Sequence, residues 1–183
     1  MNVVEPIRNR KELKRIEAIL ARNQQTGGRD LLFFVLGTNS GLRISDILGL
    51  DVGSVKCKHH IDIIEKKTGK YKRFPVNSKL MPLISAFVHG RDDDEPLFMT
   101  RFNHRLDRVQ AYRIINRACR TAGITCRVGT HTLRKTFGYH HYRQFKDVAI
   151  LQKIFNHSSP AITLKYIGID QDKIDESYSK FIL

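Results

Sequence analysis

Cysteine is scarce in this chain of 183 residues, which holds only Cys57, Cys119 and Cys126. An odd and sparse set builds no disulfide framework and points to a reducing compartment. Cys57, His59 and His60 lie close together, yet their spacing fits no standard zinc pattern and nothing nearby completes four ligands, so no metal is expected. Long apolar runs are missing as well. No stretch reaches the ~18 apolar residues that would cross a membrane. The N-terminus lacks the apolar core of a secretory signal, so a cytoplasmic protein is expected. Neither repeats nor low-complexity linkers interrupt the chain. Acidic residues are the most telling shortage: 18 Asp and Glu face 32 Lys and Arg, for a net charge of +14 and a pI near 10.0. Between Arg101 and Arg143 ten basic residues stand against Asp107 alone. Solvated helix faces normally mix both signs, so this imbalance points to a polyanionic partner, most simply nucleic acid.

What the chain does contain is an ordinary apolar fraction of 41%, enough for a core in one compact domain spanning residues 1–183. Leu13, Ile16, Ile19 and Leu20 recur at helical spacing over residues 10–22. Residues 29–39 are apolar enough for a buried helix, and a short helix follows Arg43. Over 54–76 the pattern changes to β-branched residues, a Thr68-Gly69 turn signal and Arg73-Phe74-Pro75-Val76, which predicts a small antiparallel sheet with a hairpin near 66–70. Helical patterns return over 78–89, 106–122, from a Thr130 cap to about 144, over 147–156 and 160–167, and in a last helix at about 171–182. The predicted class is mainly α with a small antiparallel β-sheet, that is, α+β. The acidic loop 91–96 reads as solvated.

Several scattered residues carry chemistry. Arg43 and Arg134 offer planar forks that bind phosphate oxygens in parallel and stay charged. His131 precedes Arg134 by three residues, a spacing that places both on one helix face, and a histidine accepts a proton near neutral pH. Lys67 falls at the hairpin tip, where it can protonate a leaving oxygen; Lys66 and Lys70 are its rivals. Tyr166 is a phenol, mostly neutral at physiological pH, whose ionised form nearby arginines and a histidine would favour. His157 precedes it by nine residues. Two basic stretches, 56–73 and 101–143, supply candidate DNA-backbone contacts in Lys66, Lys70, Lys72, Arg73, Arg105, Arg108, Arg113 and Lys135.

Taken together, Thr38-Asn-Ser-Gly-Leu-Arg-Ile-Ser-Asp-Ile-Leu-Gly-Leu50, Thr130-His-Thr-Leu-Arg-Lys-Thr-Phe137 and Ile154-Phe-Asn-His-Ser-Ser-Pro-Ala-Ile-Thr-Leu-Lys-Tyr166 resemble the catalytic domain of the tyrosine recombinase (phage integrase) family, from about residue 5 to the end. The resemblance implies the tyrosine recombinase catalytic-domain fold. It also implies a site-specific recombinase or integrase that cuts and rejoins DNA through a 3′-phosphotyrosyl link, with neither metal, ATP nor other cofactor. Arg43, Arg134, His131 and His157 would surround the scissile phosphate, Lys67 would be the general acid, Tyr166 the nucleophile, and Asp46 a support for the cluster. The implied partner is double-stranded DNA, bound by a homo-oligomer (a tetramer in the family) in which residues 171–183 dock on a neighbour or pack back on their own domain. Accessory proteins or a full-length recombinase could join it, in a bacterial or phage-encoded, DNA-associated setting. Two departures stand out. The catalytic region starts almost at Met1 without the N-terminal core-binding domain, which leaves a minimal recombinase or a fragment open. Phe155-Asn156-His157 replaces a more usual Leu-Gly-His. Two other classes remain: a catalytically silent DNA-binding module that occupies DNA or pairs with a recombinase, and a type IB topoisomerase-like relaxing activity.

Overall fold

The computed structural model describes residues 4–182. Helix α1 (Arg10–Ala21) opens on Asn9, whose side chain accepts the Lys11 amide, and buries Ile16 and Leu20, one turn apart on its inner face. Helix α2 (Gly27–Ser40) is the centre of the main core. Its run Leu32 to Leu36 is fully enclosed by α1, by α4 (Leu80–Val88) and by α6 (Thr132–Phe145). A helix apolar all round belongs in such a position. It ends on Gly41 in the left-handed region (φ 62°), where a Cβ would sit 2.6 Å from the Phe137 ring, so only glycine fits the turn that leads to Arg43. Arg43 then caps the one-turn α3 (Ile44–Ile47).

Strands β1 (His60–Ile64) and β2 (Tyr71–Pro75) form one antiparallel hairpin, in register Ile61 to Phe74 and Ile63 to Lys72. The strands are shorter than the span 54–76 read from sequence, because Val52–Ser54 coils into a single 3-10 turn and 65–70 is the hairpin loop. Side-chain alternation turns Ile61, Ile63, Lys72 and Phe74 inward. Continued by one step, it also turns Glu65 inward.

Helix α5 (Arg108–Thr121) begins with a reciprocal cap between Asp107 and Gln110. Helix α6 does not use Thr130 as its cap. His131 occupies that position without a side-chain bond, and the Thr132 hydroxyl accepts the Gly129 amide at 3.0 Å instead. Helices α7 (Val148–Phe155), α8 (Pro160–Ile167) and α9 (Ile169–Lys180) follow. A second apolar cluster of Tyr139, Leu151, Phe155, Ile167 and Ile169 joins α6 to these three. Gly138 lets α6 and α8 approach closely: a Cβ there would meet Ile167 at 2.6 Å and the Phe155 ring at 2.7 Å. The last helix starts two residues earlier than its spacing suggested and leaves Ile174, Tyr178 and Phe181 largely in solvent.

Candidate active site

Six distant positions converge between α3, the hairpin, α6 and the α7–α8 corner. Arg134 projects from the first turns of α6 and is 3% exposed. Its fork donates to the Gly41 carbonyl at 2.5 Å and to the Phe155 carbonyl at 2.8 Å, and it lies 4.4 Å above the Phe155 ring. One guanidinium therefore ties the turn that carries Arg43 to the end of the helix that precedes His157. Arg43 Nη1 sits 2.8 Å from Glu65 Oε2, off the line of a good hydrogen bond, so that contact is chiefly electrostatic.

Tyr166, on α8, stacks edge-on against Phe155 and His157, at 5.6 and 5.1 Å between ring centres. The Lys135 ammonium lies over its ring at 5.2 Å. Its hydroxyl is 3.4 Å from His131 Nδ1, a long contact that a small shift would tighten. Burial raises the phenol's pKa, and the charges of Arg134 and Arg43 offset this only in part. The mostly neutral phenol expected from the sequence is kept neutral here, because desolvation outweighs the cations that favour its ionised form. The histidines complement that state. Desolvation and the charges of Arg108, Arg134, Lys135 and Lys67 hold the His131 pKa below the usual 6.5. His157 is pushed down to about 4 by burial, Arg134 and Arg43. Both rings are neutral at pH 7. His157 Nδ1 lies 3.0 Å from the buried Thr163 hydroxyl, whose proton also reaches the Ser159 carbonyl at 3.3 Å; in the tautomer in which Thr163 donates to the ring, the far nitrogen carries a proton that it can offer to a phosphate oxygen.

Lys67 stands exposed at the hairpin tip, close enough for its charge to act on His131. Asp46 is buried, and its Oδ1 accepts the Lys66 amide at 2.9 Å, so its support acts on the hairpin that carries Lys67. Among the residues read as backbone contacts, Lys66, Lys70, Arg73, Arg108 and Arg113 are exposed. Arg108 lines a hollow of about 370 Å³ beside His131, whereas Arg113 lines a separate one with Ile19 and Phe87 between α1 and α5. Three others have their donors engaged within the molecule, although Arg105 is exposed. Arg105 donates to the Leu48 and Leu50 carbonyls and to Asp51. Lys135 is buried and donates to the Val4 carbonyl. Lys72 donates to the Ile154 carbonyl at 3.1 Å, and burial with the charges of Arg134 and Arg43 lowers its pKa to about 8. Short internal acceptors took these three cations, which a count of charges along the sequence does not reveal.

The sequence reading overlooked Glu65, Asn156 and Thr163. For Glu65 a signal existed, since alternation from Ile61 and Ile63 places a carboxylate on the inward face. For the other two the signal lay in the spacing after Phe155, where Asn156 adopts φ 52° to close α7. Among the described residues no group of three or more His, Cys, Asp and Glu side chains is placed to hold a metal ion, and no helix is long and apolar enough to cross a membrane.

The fold is that of a tyrosine recombinase catalytic domain. The structure superposes on the XerA recombinase with a TM-score of 0.77 (22% identity, 96% of this chain, 64% of that one). It matches the catalytic domain of bacteriophage HP1 integrase with a TM-score of 0.66 (20% identity, 89% and 86%). The family model described as "Phage integrase family" matches residues 9–173, and the chain belongs to that family. It is 42% identical over 182 residues to a probable integrase/recombinase, YoeC, of Bacillus subtilis, covering 99% of this chain and 98% of that protein. It is 26% identical to the tyrosine recombinase XerC of Thermodesulfovibrio yellowstonii over 83% of this chain, but spans only 54% of that relative's length.

Proposed function

We propose that the chain acts as one catalytic domain that cuts and rejoins DNA strands at specific sites through a covalent link to Tyr166. The observation that carries this reading is the meeting of His131, His157, Arg43 and Arg134 around Tyr166, through direct contact or charge, although 123 positions separate the first of the five from the last (Arg43 to Tyr166). Relatives that match the chain bear the names of recombinases, and the XerH recombinase, which shares this fold (TM-score 0.74), was solved with its difH substrate in a pre-cleavage complex.

In this reading Arg43 and Arg134 hold the two non-bridging oxygens of the scissile phosphate, and His157 donates to one of them. Tyr166 Oη attacks phosphorus as its proton passes to His131. The P–O5′ bond breaks, and Lys67 protonates the departing 5′ oxygen. A 3′-phosphotyrosyl ester results, and attack by a 5′ hydroxyl reverses each step. Charge on the transition state is met by arginines already in place, so the reaction draws on preorganised electrostatics rather than on a metal or ATP. The exposed row Lys66, Lys70, Arg73 and Arg108 supplies contacts to the DNA backbone. Ile174, Tyr178, Phe181 and Ile182, between 48% and 88% exposed, give α9 an apolar strip that supports docking on a neighbouring protomer in a homo-oligomer.

The test is a duplex nicked just beyond the cleavage point, from which the released fragment diffuses away. An adduct that survives denaturing electrophoresis supports the reading, and its complete absence with all candidate sites favours a silent binding module. Relaxed plasmid without recombinant product would mark the topoisomerase-like alternative.

Two further outcomes follow from the geometry. The single-turnover cleavage rate should fall in acid as His131 takes up a proton, along a limb centred below 6.5. Measured rates from about pH 5 to about pH 9 check this, and a limb centred above histidine's normal value would assign the base elsewhere. Lys67→Ala should lose on the order of 10²- to 10⁴-fold on a normal substrate and recover when the leaving atom is sulfur, which needs no proton. If recovery is lacking, the acid role moves to Lys66, Lys70 or Lys72; the lowered pKa of Lys72 makes it the strongest rival.

A further inference from the structure

Glu65 is fully buried inside a cluster of cations, and the functions assigned above make no use of it. A lone carboxylate in such a place costs several kcal/mol unless it is paired and hydrogen-bonded. Its Oε2 meets that condition three times over. The Thr68 hydroxyl donates to it at 2.7 Å, the Asn156 side-chain amide donates at 3.1 Å, and Arg43 Nη1 faces it at 2.8 Å. Those three partners sit on three different carriers. Thr68 follows Lys67 in the hairpin loop, Asn156 precedes His157 at the end of α7, and Arg43 is itself one of the phosphate-binding candidates. The hairpin loop is folded back by further bonds at the same residue, since Glu65 exchanges amide and carbonyl with Lys70 and Gly69.

We propose that Glu65 is a positioning residue, whose single oxygen Oε2 holds Arg43, the loop bearing Lys67 and the turn bearing His157 in one fixed geometry around the scissile phosphate. The inference rests on the reading of these three groups as the reacting ones. Burial alone would raise the Glu65 pKa, but the hydrogen bonds from Thr68 and Asn156 and the facing charge of Arg43 outweigh it and keep the carboxylate ionised at neutral pH. Lys72 and Arg134 add their positive charge from β2 and α6, and Asp46 adds a negative charge from α3. Asn156 fits this arrangement in a particular way. A helix C-cap at φ 52° is a place for glycine; asparagine tolerates it and brings an amide that glycine lacks.

The experiment compares covalent adduct formation at saturating nicked DNA, with an oxygen or a sulfur atom at the 5′ leaving position, in wild type and three variants. Glu65→Gln keeps the shape but removes the charge facing Arg43. It is expected to slow the oxygen substrate by roughly 10- to 100-fold, the scale of an ångström-sized misplacement, with DNA affinity changed less than about threefold. Part of that loss should return with sulfur, since a misaimed Lys67 no longer matters. Thr68→Val and Asn156→Gly make the same test without disturbing a buried charge. Thr68 is exposed and Gly suits the Asn156 backbone, so neither change endangers the fold. Thr68→Val should slow the oxygen substrate alone. Asn156→Gly should slow both substrates alike, because it acts through His157. Wild-type rates in Thr68→Val and Asn156→Gly, or a Thr68→Val defect equal on the two substrates, overturn the proposal. A wild-type protein that forms no adduct at all overturns the functional reading instead.

Discussion

Tyr166→Phe should form no covalent adduct with a nicked duplex while folding and binding DNA as the wild type does. Only the hydroxyl is removed, and its hydrogen bond to His131 is long, at 3.4 Å. A bond that long contributes little to stability. The ring keeps its packing on Phe155 and His157 and its place under the Lys135 ammonium. Relief of a partly desolvated phenol offsets what is lost, so the change in unfolding free energy should stay within about 1 kcal/mol. Mass spectrometry of wild-type adducts should find DNA on Tyr166. Residual adduct in Tyr166→Phe, mapped to Tyr139, Tyr142 or Tyr178, would show that another phenol is the nucleophile.

Arg134→Ala should behave in the opposite way and damage both chemistry and fold. Loss of a transition-state donor alone accounts for about 10²- to 10³-fold in rate. Here the loss should exceed this, because Arg134 also anchors the carbonyls of Gly41 and Phe155. Without it the turn leading to Arg43 and the corner leading to His157 are no longer tied together. Two buried carbonyls are orphaned at about 1–3 kcal/mol each, partly offset by no longer burying a charge. A net loss of about 3 kcal/mol in a urea melt is expected, along with cleavage below detection. Taken only as a phosphate-binding fork, which is all the sequence offers, Arg134 would give a purely catalytic lesion on the same substitution. A melting curve equal to the wild type's would restore that simpler view.

This contrast shows where sequence reading reaches and where it stops. Helical spacing located α1, α5, α7 and α8 because each carries one clear apolar face, as Ile16 and Leu20 do in α1. Motif order picked out Arg43, Lys67, His131, Arg134, His157 and Tyr166, since family resemblance reports which side chains recur together. Neither source reports what a side chain bonds to. Lys135 and Arg105 looked like phosphate contacts because they are charged; the structure gives their donors to the Val4, Leu48 and Leu50 carbonyls, which a linear charge pattern does not display. Glu65 follows a strand rich in isoleucine, and its position one step along the same alternation is the only hint of its burial that the sequence holds. The neutral phenol of Tyr166 was legible from its ordinary pKa, but not the upward push that burial gives it, since burial is a property of the packed molecule and proximity to cations is only half of the balance.

Gly138 has no part in the proposed chemistry, yet it sets the gap between the helix of Arg134 and the helix of Tyr166, the proposed nucleophile. It faces Ile167, the residue after Tyr166, and Phe155, whose ring packs on Tyr166 and lies under Arg134. Even one methyl there would act as a wedge between the helix of the clamp and the helix of the attacking oxygen. The working distance of the site is thus dimensioned by an atom the chain leaves out, one helical turn behind the arginine it serves.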